Sequence, residues 1–247
     1  MLYMHTIVQY LNSTYGVCPL NELTSRQKIK YYITKYVISV PPDLQFQLDQ
    51  ILQLEISQKP IFDTDLISNQ VSVIKMDITQ IQTDCIVNAA NSEGLGCFQW
   101  GHNCIDNQIH NKAGPNLRRQ CQKIVNGSKI DTGQAIITHG FNLPAKYIIH
   151  TVGPIYSVSK EKWCVEKLIE CYENCLRIAI NYGLKSIVFC CISTGVYQFP
   201  KNKAVEIAIT TVHNFLKKHC SNIRVIFCTY EDDDYIMYKN WGRPPNF

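Results

Sequence analysis

After Ser186, Ile187-Val188-Phe189-Cys190-Cys191 is an unbroken apolar run in which every side chain gains by leaving water. A strand with one wet face alternates apolar and polar residues. A strand that is apolar throughout must be covered on both faces. Similar short, β-branched stretches predict strands over 71–75, 84–87, 134–138, 147–152 and 224–228. Between them, apolar spacings of three and four predict helices over 103–113, 116–125, 162–181 and 203–218. Strands alternating with helices stack as a three-layer α/β sandwich, which is the expected architecture from about residue 70 onward.

Residues 1–65 follow a different pattern. Ile7, Leu11 and Tyr15 recur at helical spacing, and so do Ile29, Tyr32, Ile33 and Val37. Pro41-Pro42 opens a third segment in which Leu44, Leu48, Ile51, Leu52 and Leu54 repeat with the same period. The expected division is a helical extension over 1–65 that packs on a main domain over 66–247. A chain of 247 residues is long enough to bury a full core in this way.

Charge and cysteine usage narrow the partners. The formal charge is only +4, and no basic stretch is interleaved with stacking aromatics, so a nucleic-acid surface is not expected. No apolar window reaches the length of a membrane span, and the first residues lack the basic start and small-residue cleavage site of a signal peptide. The twelve cysteines are scattered, without the compact spacing of a disulfide scaffold. Free thiols in a reducing, cytoplasmic compartment are expected, with Cys85, Cys171, Cys175, Cys190, Cys191 and Cys228 acting as small core hydrophobes.

In open α/β sheets ligands bind beyond the carboxyl ends of the strands. Three segments fall there. Asn88-Ala89-Ala90-Asn91 leads into a glycine-bearing loop. Ser193-Thr194-Gly195-Val196-Tyr197 is a small-residue turn whose backbone N–H groups can cradle a phosphate, or simply connect strand to helix. Tyr230-Glu231-Asp232-Asp233-Asp234 follows the last strand. The first loop carries Cys97, His102 and Cys104 within eight residues. Two thiolates and an imidazole suit Zn2+, and three protein ligands leave the fourth tetrahedral position open, as a catalytic metal requires. The same residues could instead form a structural site completed by Cys121 or Cys164, or hold no metal. Asp106 opens the following helix, where an acid favours the dipole or serves as a base or ribose contact. His110 reads as structural and His150 as a satisfied core histidine. Asp77 reads as a turn residue or an acceptor for a base amino group.

Five runs taken together resemble the macrodomain family, in the family's order. They are Val73-Ile74-Lys75-Met76-Asp77-Ile78-Thr79, Asp84 through Ser92, Ile105 through Gly114, Leu143 through Pro154, and Ile192-Ser193-Thr194-Gly195-Val196-Tyr197. The resemblance implies a three-layer α/β/α fold with a mixed central sheet and an ADP-ribose pocket. Asp77 and Ile78 would receive the adenine end, and Tyr230 would stack on it. Gly94, Leu95 and Gly96, with Ser193, Thr194, Gly195, Val196 and Tyr197, would wrap the diphosphate. Asn91 and Asp106 would face the distal ribose as the catalytic pair. The long loop holding Cys97, His102 and Cys104 resembles the zinc-containing branch, which carries a helical extension like residues 1–65. That implies a zinc-dependent, monomeric hydrolase acting on mono-ADP-ribosylated protein at acidic side chains. The alternatives are an ADP-ribose reader without chemistry, an O-acetyl-ADP-ribose deacetylase, and an RNA-binding domain with structural zinc. The chain departs from the family pattern at Met76 and Gln198, where relatives carry glycine, and at Trp100-Gly101, which replaces a proline-containing spacing before the histidine; Gln198 bears on how closely its loop approaches the phosphates.

Overall fold

A computed structural model describes residues 2–241. Its first three elements are helices α1 (Leu2–Tyr15), α2 (Ser25–Lys35) and α3 (Pro42–Ser57). Thr24 starts α2 with a reciprocal cap. Its hydroxyl accepts from Gln27 N, and the Gln27 side chain accepts from Thr24 N. Pro42 sits at the first turn of α3, where no N–H is needed. The helical spacing buries Ile7, Leu11, Ile29, Tyr32, Leu48 and Leu52 in a shared core, and Trp100 from the main body packs against it. Val37 lies beyond the end of α2, and Leu54 faces solvent.

The strands are β1 (Phe62–Asp63), β2 (Val71–Lys75), β3 (Ile81–Gln82), β4 (Cys85–Ala89), β5 (Ala135–His139), β6 (Tyr147–Thr151), β7 (Ser186–Phe189) and β8 (Arg224–Thr229). β1 and β3 form a small parallel pair. The other six make one mixed sheet in the order β2-β8-β7-β4-β6-β5, parallel except for β5. β4, β7 and β8 are buried almost throughout, whereas the edge strands β2 and β5 are largely half-exposed. That difference explains why the continuous apolar runs mark the sheet centre. The ladder of β7 stops at Phe189. Cys190 and Cys191, expected to lie inside the strand, instead leave it and line the site.

Helices α4 (Ile105–Ala113), α5 (Pro115–Val125), α6 (Glu161–Asn181), α7 (Lys201–Lys218) and α8 (Asp232–Asn240) flank the sheet. The sequence signals α8 poorly because it buries only Asp234 and Tyr238, leaving no apolar period to read. Its acidic first turn suits the helix dipole, and an ion pair of 2.8 Å from Asp234 to Lys201 ties it to α7. The main core centres on Ile86, Val87, Ile149, Ile187, Phe189 and Phe227, closed by Tyr172 packed 5.0 Å from Phe189. All twelve cysteines are free. Among the described residues no helix is long and apolar enough to cross a membrane.

Candidate active site

A cleft of about 630 Å³ opens at the carboxyl ends of β2, β4, β7 and β8. Residues following each strand reach it: Met76 to Thr79, Ala90 and Asn91, Cys190, Cys191 and Ser193 to Tyr197, and Tyr230. The first residues of α4 close the far side.

At one end lies Asp77. Its carboxylate accepts from Thr79 N at 3.0 Å and from Thr79 Oγ1 at 2.5 Å, and it pairs with Lys112 Nζ at 2.6 Å. Burial pushes this carboxyl up, but the hydrogen bonds from Lys112 and Thr79 outweigh it and hold the group below the usual carboxylate range. Ile78 is buried beside it, and Tyr230 stands exposed at the rim.

The β7–α7 turn forms one wall. Ser193 adopts φ +65°, and its buried Oγ has no hydrogen-bond partner. It lies against Gly153, where a Cβ would come within 2.1 Å of that oxygen, so only glycine fits beneath the turn. Thr194 Oγ1 donates to Cys191 O, and Ser193 O accepts from Phe199 N, closing the turn. Gln198 holds φ +54°. A side chain therefore occupies a left-handed position, the conformation that makes glycine usual there.

At the other end Asn91 Nδ2 donates to Gly96 O at 3.1 Å, which leaves its Oδ1 unpaired and buried at the cleft. Asn88 Nδ2 donates to Asp106 Oδ1 at 2.7 Å and to His150 Nδ1 at 3.1 Å. The second bond fixes the His150 tautomer, because an amide nitrogen can only donate. His150 Nε2–H then donates to Thr138 Oγ1 at 2.9 Å. His150 is thus the satisfied core histidine that the sequence predicts. Burial pushes the Asp106 carboxyl up to about 6, although the Asn88 hydrogen bond and the charge of Arg118 oppose the rise. His110 Nε2 lies 3.5 Å from Asp106 Oδ1 without hydrogen-bond geometry, and both its ring nitrogens are unpaired. Burial holds that ring neutral well below its ordinary value.

Cys97, His102 and Cys104 converge beside Asp106. Their ligand atoms lie within 4.8 Å of one another, with Cys97 Sγ 3.4 Å from His102 Nδ1. Burial pushes the Cys104 thiol up to about 12, and the neighbouring Cys97 adds to it. A divalent cation relieves that penalty by replacing the protons. Two thiols and an imidazole in mutual reach fit zinc. Among the described residues no fourth His, Cys, Asp or Glu joins the set. Cys121 groups instead with buried His110 and His150, and Cys164 Sγ donates to Ile155 O within the α6 region.

Asp77, Ile78, Asn91, Asp106, Ser193 to Tyr197, Tyr230 and the candidate ligands Cys97, His102 and Cys104 all line this one cleft. Gly94, Leu95 and Gly96 do not. Leu95 packs with Val125, Ile130 and Val152, and a Cβ on Gly94 or Gly96 would run into Ile130 or His110. The apolar Leu95 turns the loop inward. Sequence reasoning assigned no individual role to Asn88, Lys112 or Arg118. Only Arg118 carried a signal, as a cation on the buried stripe Leu117, Cys121 and Val125 of α5.

An α/β/α sandwich with its cleft at the strand carboxyl ends belongs to the class of open-sheet ligand-binding domains. The macro domain family model matches residues 87–208. A Staphylococcus aureus (strain MSSA476) protein named protein-ADP-ribose hydrolase is 47% identical over 174 residues, covering 69% of this chain and 65% of that relative's length. The Oceanobacillus iheyensis macrodomain solved with ADP is 38% identical, with a TM-score of 0.62, covering 68% of this chain and 87% of that one. The Trypanosoma brucei macrodomain solved with ADP-ribose is 28% identical, with a TM-score of 0.67, covering 89% of this chain and 96% of that one. The chain belongs to the macrodomain family.

Proposed function

We propose that this protein is a zinc-dependent hydrolase that releases ADP-ribose from mono-ADP-ribosylated protein at acidic side chains. The observation that carries the proposal is the convergence, at one end of a nucleotide-sized cleft, of Asp106, the unpaired Asn91 Oδ1 and the Cys97–His102–Cys104 set. The names of the relatives support the same reaction class.

Asp77 sits where it can accept a hydrogen bond from an adenine amino group, with Tyr230 free to stack on the ring. Ser193 to Tyr197 wrap the diphosphate with backbone donors. Asn91 Oδ1 takes a hydroxyl of the distal ribose, and Asp106 orients that ribose or the attacking water. Cys97, His102 and Cys104 would hold the zinc, which supplies Lewis acidity next to the scissile bond. A reader needs the adenine and diphosphate contacts but neither Asp106 nor the metal ligands.

Replacing Cys97, His102 or Cys104 singly is expected to abolish release of ADP-ribose from an ester-linked target and to remove bound zinc. Full activity in metal-free protein would reject the proposal. Product analysis with O-acetyl-ADP-ribose separates the deacetylase reaction.

A further inference from the structure

We propose that the N-terminal helical unit is a working part of the metal centre: Arg118, Asn107 and Trp100 position the metal-bearing loop against the end of α2. This rests on the metal reading above. The loop 97–102 has almost no structure of its own. It contains one internal backbone-to-backbone hydrogen bond, from His102 N to Gln99 O at 3.3 Å, and Gly101, at φ +77°, has open space where a Cβ would stand. A zinc ligand set must be held to a few tenths of an ångström, so its geometry has to come from outside the loop.

Three attachments supply it, and all lead to α2. Arg118 is 2% exposed. Its Nη1 donates to Ile33 O at 2.6 Å, Thr34 O at 3.0 Å and Tyr36 O at 3.0 Å, and its Nη2 donates to Cys97 O at 3.3 Å. The carbonyls at the end of α2 lack helical partners, and a cation there also meets the negative end of the dipole. The same guanidinium stacks 4.2 Å over the Phe98 ring. One planar fork therefore joins the carbonyl of a metal-ligand residue to the helical unit.

The second attachment runs through Asn107. Its Nδ2 donates to Gln99 O at 3.0 Å, and its N–H donates to Cys104 Sγ at 3.4 Å. Its Oδ1 accepts from Asn111, whose amide also donates to Thr34 Oγ1 at 3.1 Å. Third, the Trp100 ring meets Tyr31 edge-on at 5.5 Å. Trp100 is also where the loop departs from the family spacing, so in this chain the departure becomes the docking contact.

The test uses the full chain with Thr34→Val, Trp100→Ala and Arg118→Lys. Zinc affinity is read by competition with a chromophoric chelator, and ADP-ribose affinity of the metal-free protein by calorimetry. Each variant is expected to lose about tenfold or more in zinc affinity, the usual effect of removing an outer-shell partner, with ADP-ribose affinity unchanged. If Arg118→Lys fails to fold, the other two decide. Folded Thr34→Val and Trp100→Ala proteins that hold zinc as tightly as the parent would overturn the inference. So would a loss of ADP-ribose affinity equal to the loss of zinc affinity, because that marks general damage. A parent chain that takes up no zinc would sink the metal reading itself, and this shows before any variant is made.

Discussion

His150 enters the folded protein neutral and stays so, because burial depresses its ring to about 3. In the unfolded chain the same imidazole takes a proton near pH 6.5. Above that pH neither state binds the proton, and stability does not depend on it. As pH falls below 6.5 the unfolded state gains a proton that the folded state refuses, so stability is lost until the folded value is passed. Between pH 7 and pH 5 this amounts to about 2 kcal/mol for one such histidine. His110, also buried and lowered, shifts in the same sense. Asp106 is raised, so its contribution runs the other way. It is common to parent and variant and cancels in their difference. Urea unfolding at the two pH values should therefore show a drop about 2 kcal/mol smaller in His150→Gln than in the parent. Parallel drops in the two proteins would refute this account of the buried network.

At the scale of elements, α4 begins on a residue with two tasks. Cys104 is its N-cap, and Cys104 Sγ accepts from Asn107 N at 3.4 Å while also belonging to the cluster proposed to hold the metal. The two tasks separate chemically. Serine is a good N-cap but a poor zinc ligand, and alanine is neither. Under metal-free conditions Cys104→Ser should keep the parent's stability, whereas Cys104→Ala should lose about 1 kcal/mol in chemical denaturation. Both should lose zinc. Equal stabilities for the two variants would show that the cap contributes nothing. The same element marks what a sequence reveals. The convergence of Cys97, His102 and Cys104 was legible because their neighbourhood is local: eight residues suffice to bring the three side chains together. The alternation of apolar strands with helices was legible because a doubly covered strand cannot hide its composition. The roles of Asn88, Lys112 and Arg118 were not legible, because each acquires its partners only when distant segments pack together: Asn88 with Asp106 of α4, Lys112 with Asp77 after β2, and Arg118 with the end of α2. The inward turn of Gly94-Leu95-Gly96 was hidden for the same reason, as it depends on an apolar pocket formed by Val125, Ile130 and Val152.

On the scale of the whole molecule the question is whether two hydrophobic cores behave as one. The helical core of α1 to α3 and the sheet core are separate clusters. The seam between them combines buried and part-buried polar contacts with two apolar ones, Ile56 of α3 in the sheet core and Trp100 in the helical core. Asn142 Nδ2 donates to Asp49 Oδ1 at 2.7 Å and to Ala113 O, and Gln53 donates to Asn142 Oδ1. Arg118 and Asn111 add the bonds to α2. Opening this seam would give up all of these hydrogen bonds at once, each worth about 0.5–1.5 kcal/mol net and more for those of the guanidinium. That penalty exceeds what local fraying of a small three-helix unit could recover, so the helices and the sheet should unfold together. Leu52 tests this because it is fully buried in the helical core, and its Cδ1 lies 2.9 Å from where a Cβ on Gly114 would stand, at the α4–α5 junction. Leu52→Ala should cost about 2–5 kcal/mol. The loss should appear as one shifted transition, the same by far-ultraviolet circular dichroism and by exchange of amides in β4. A helical transition that melts first while β4 stays protected would show the seam to be a simple contact between two independent folding units.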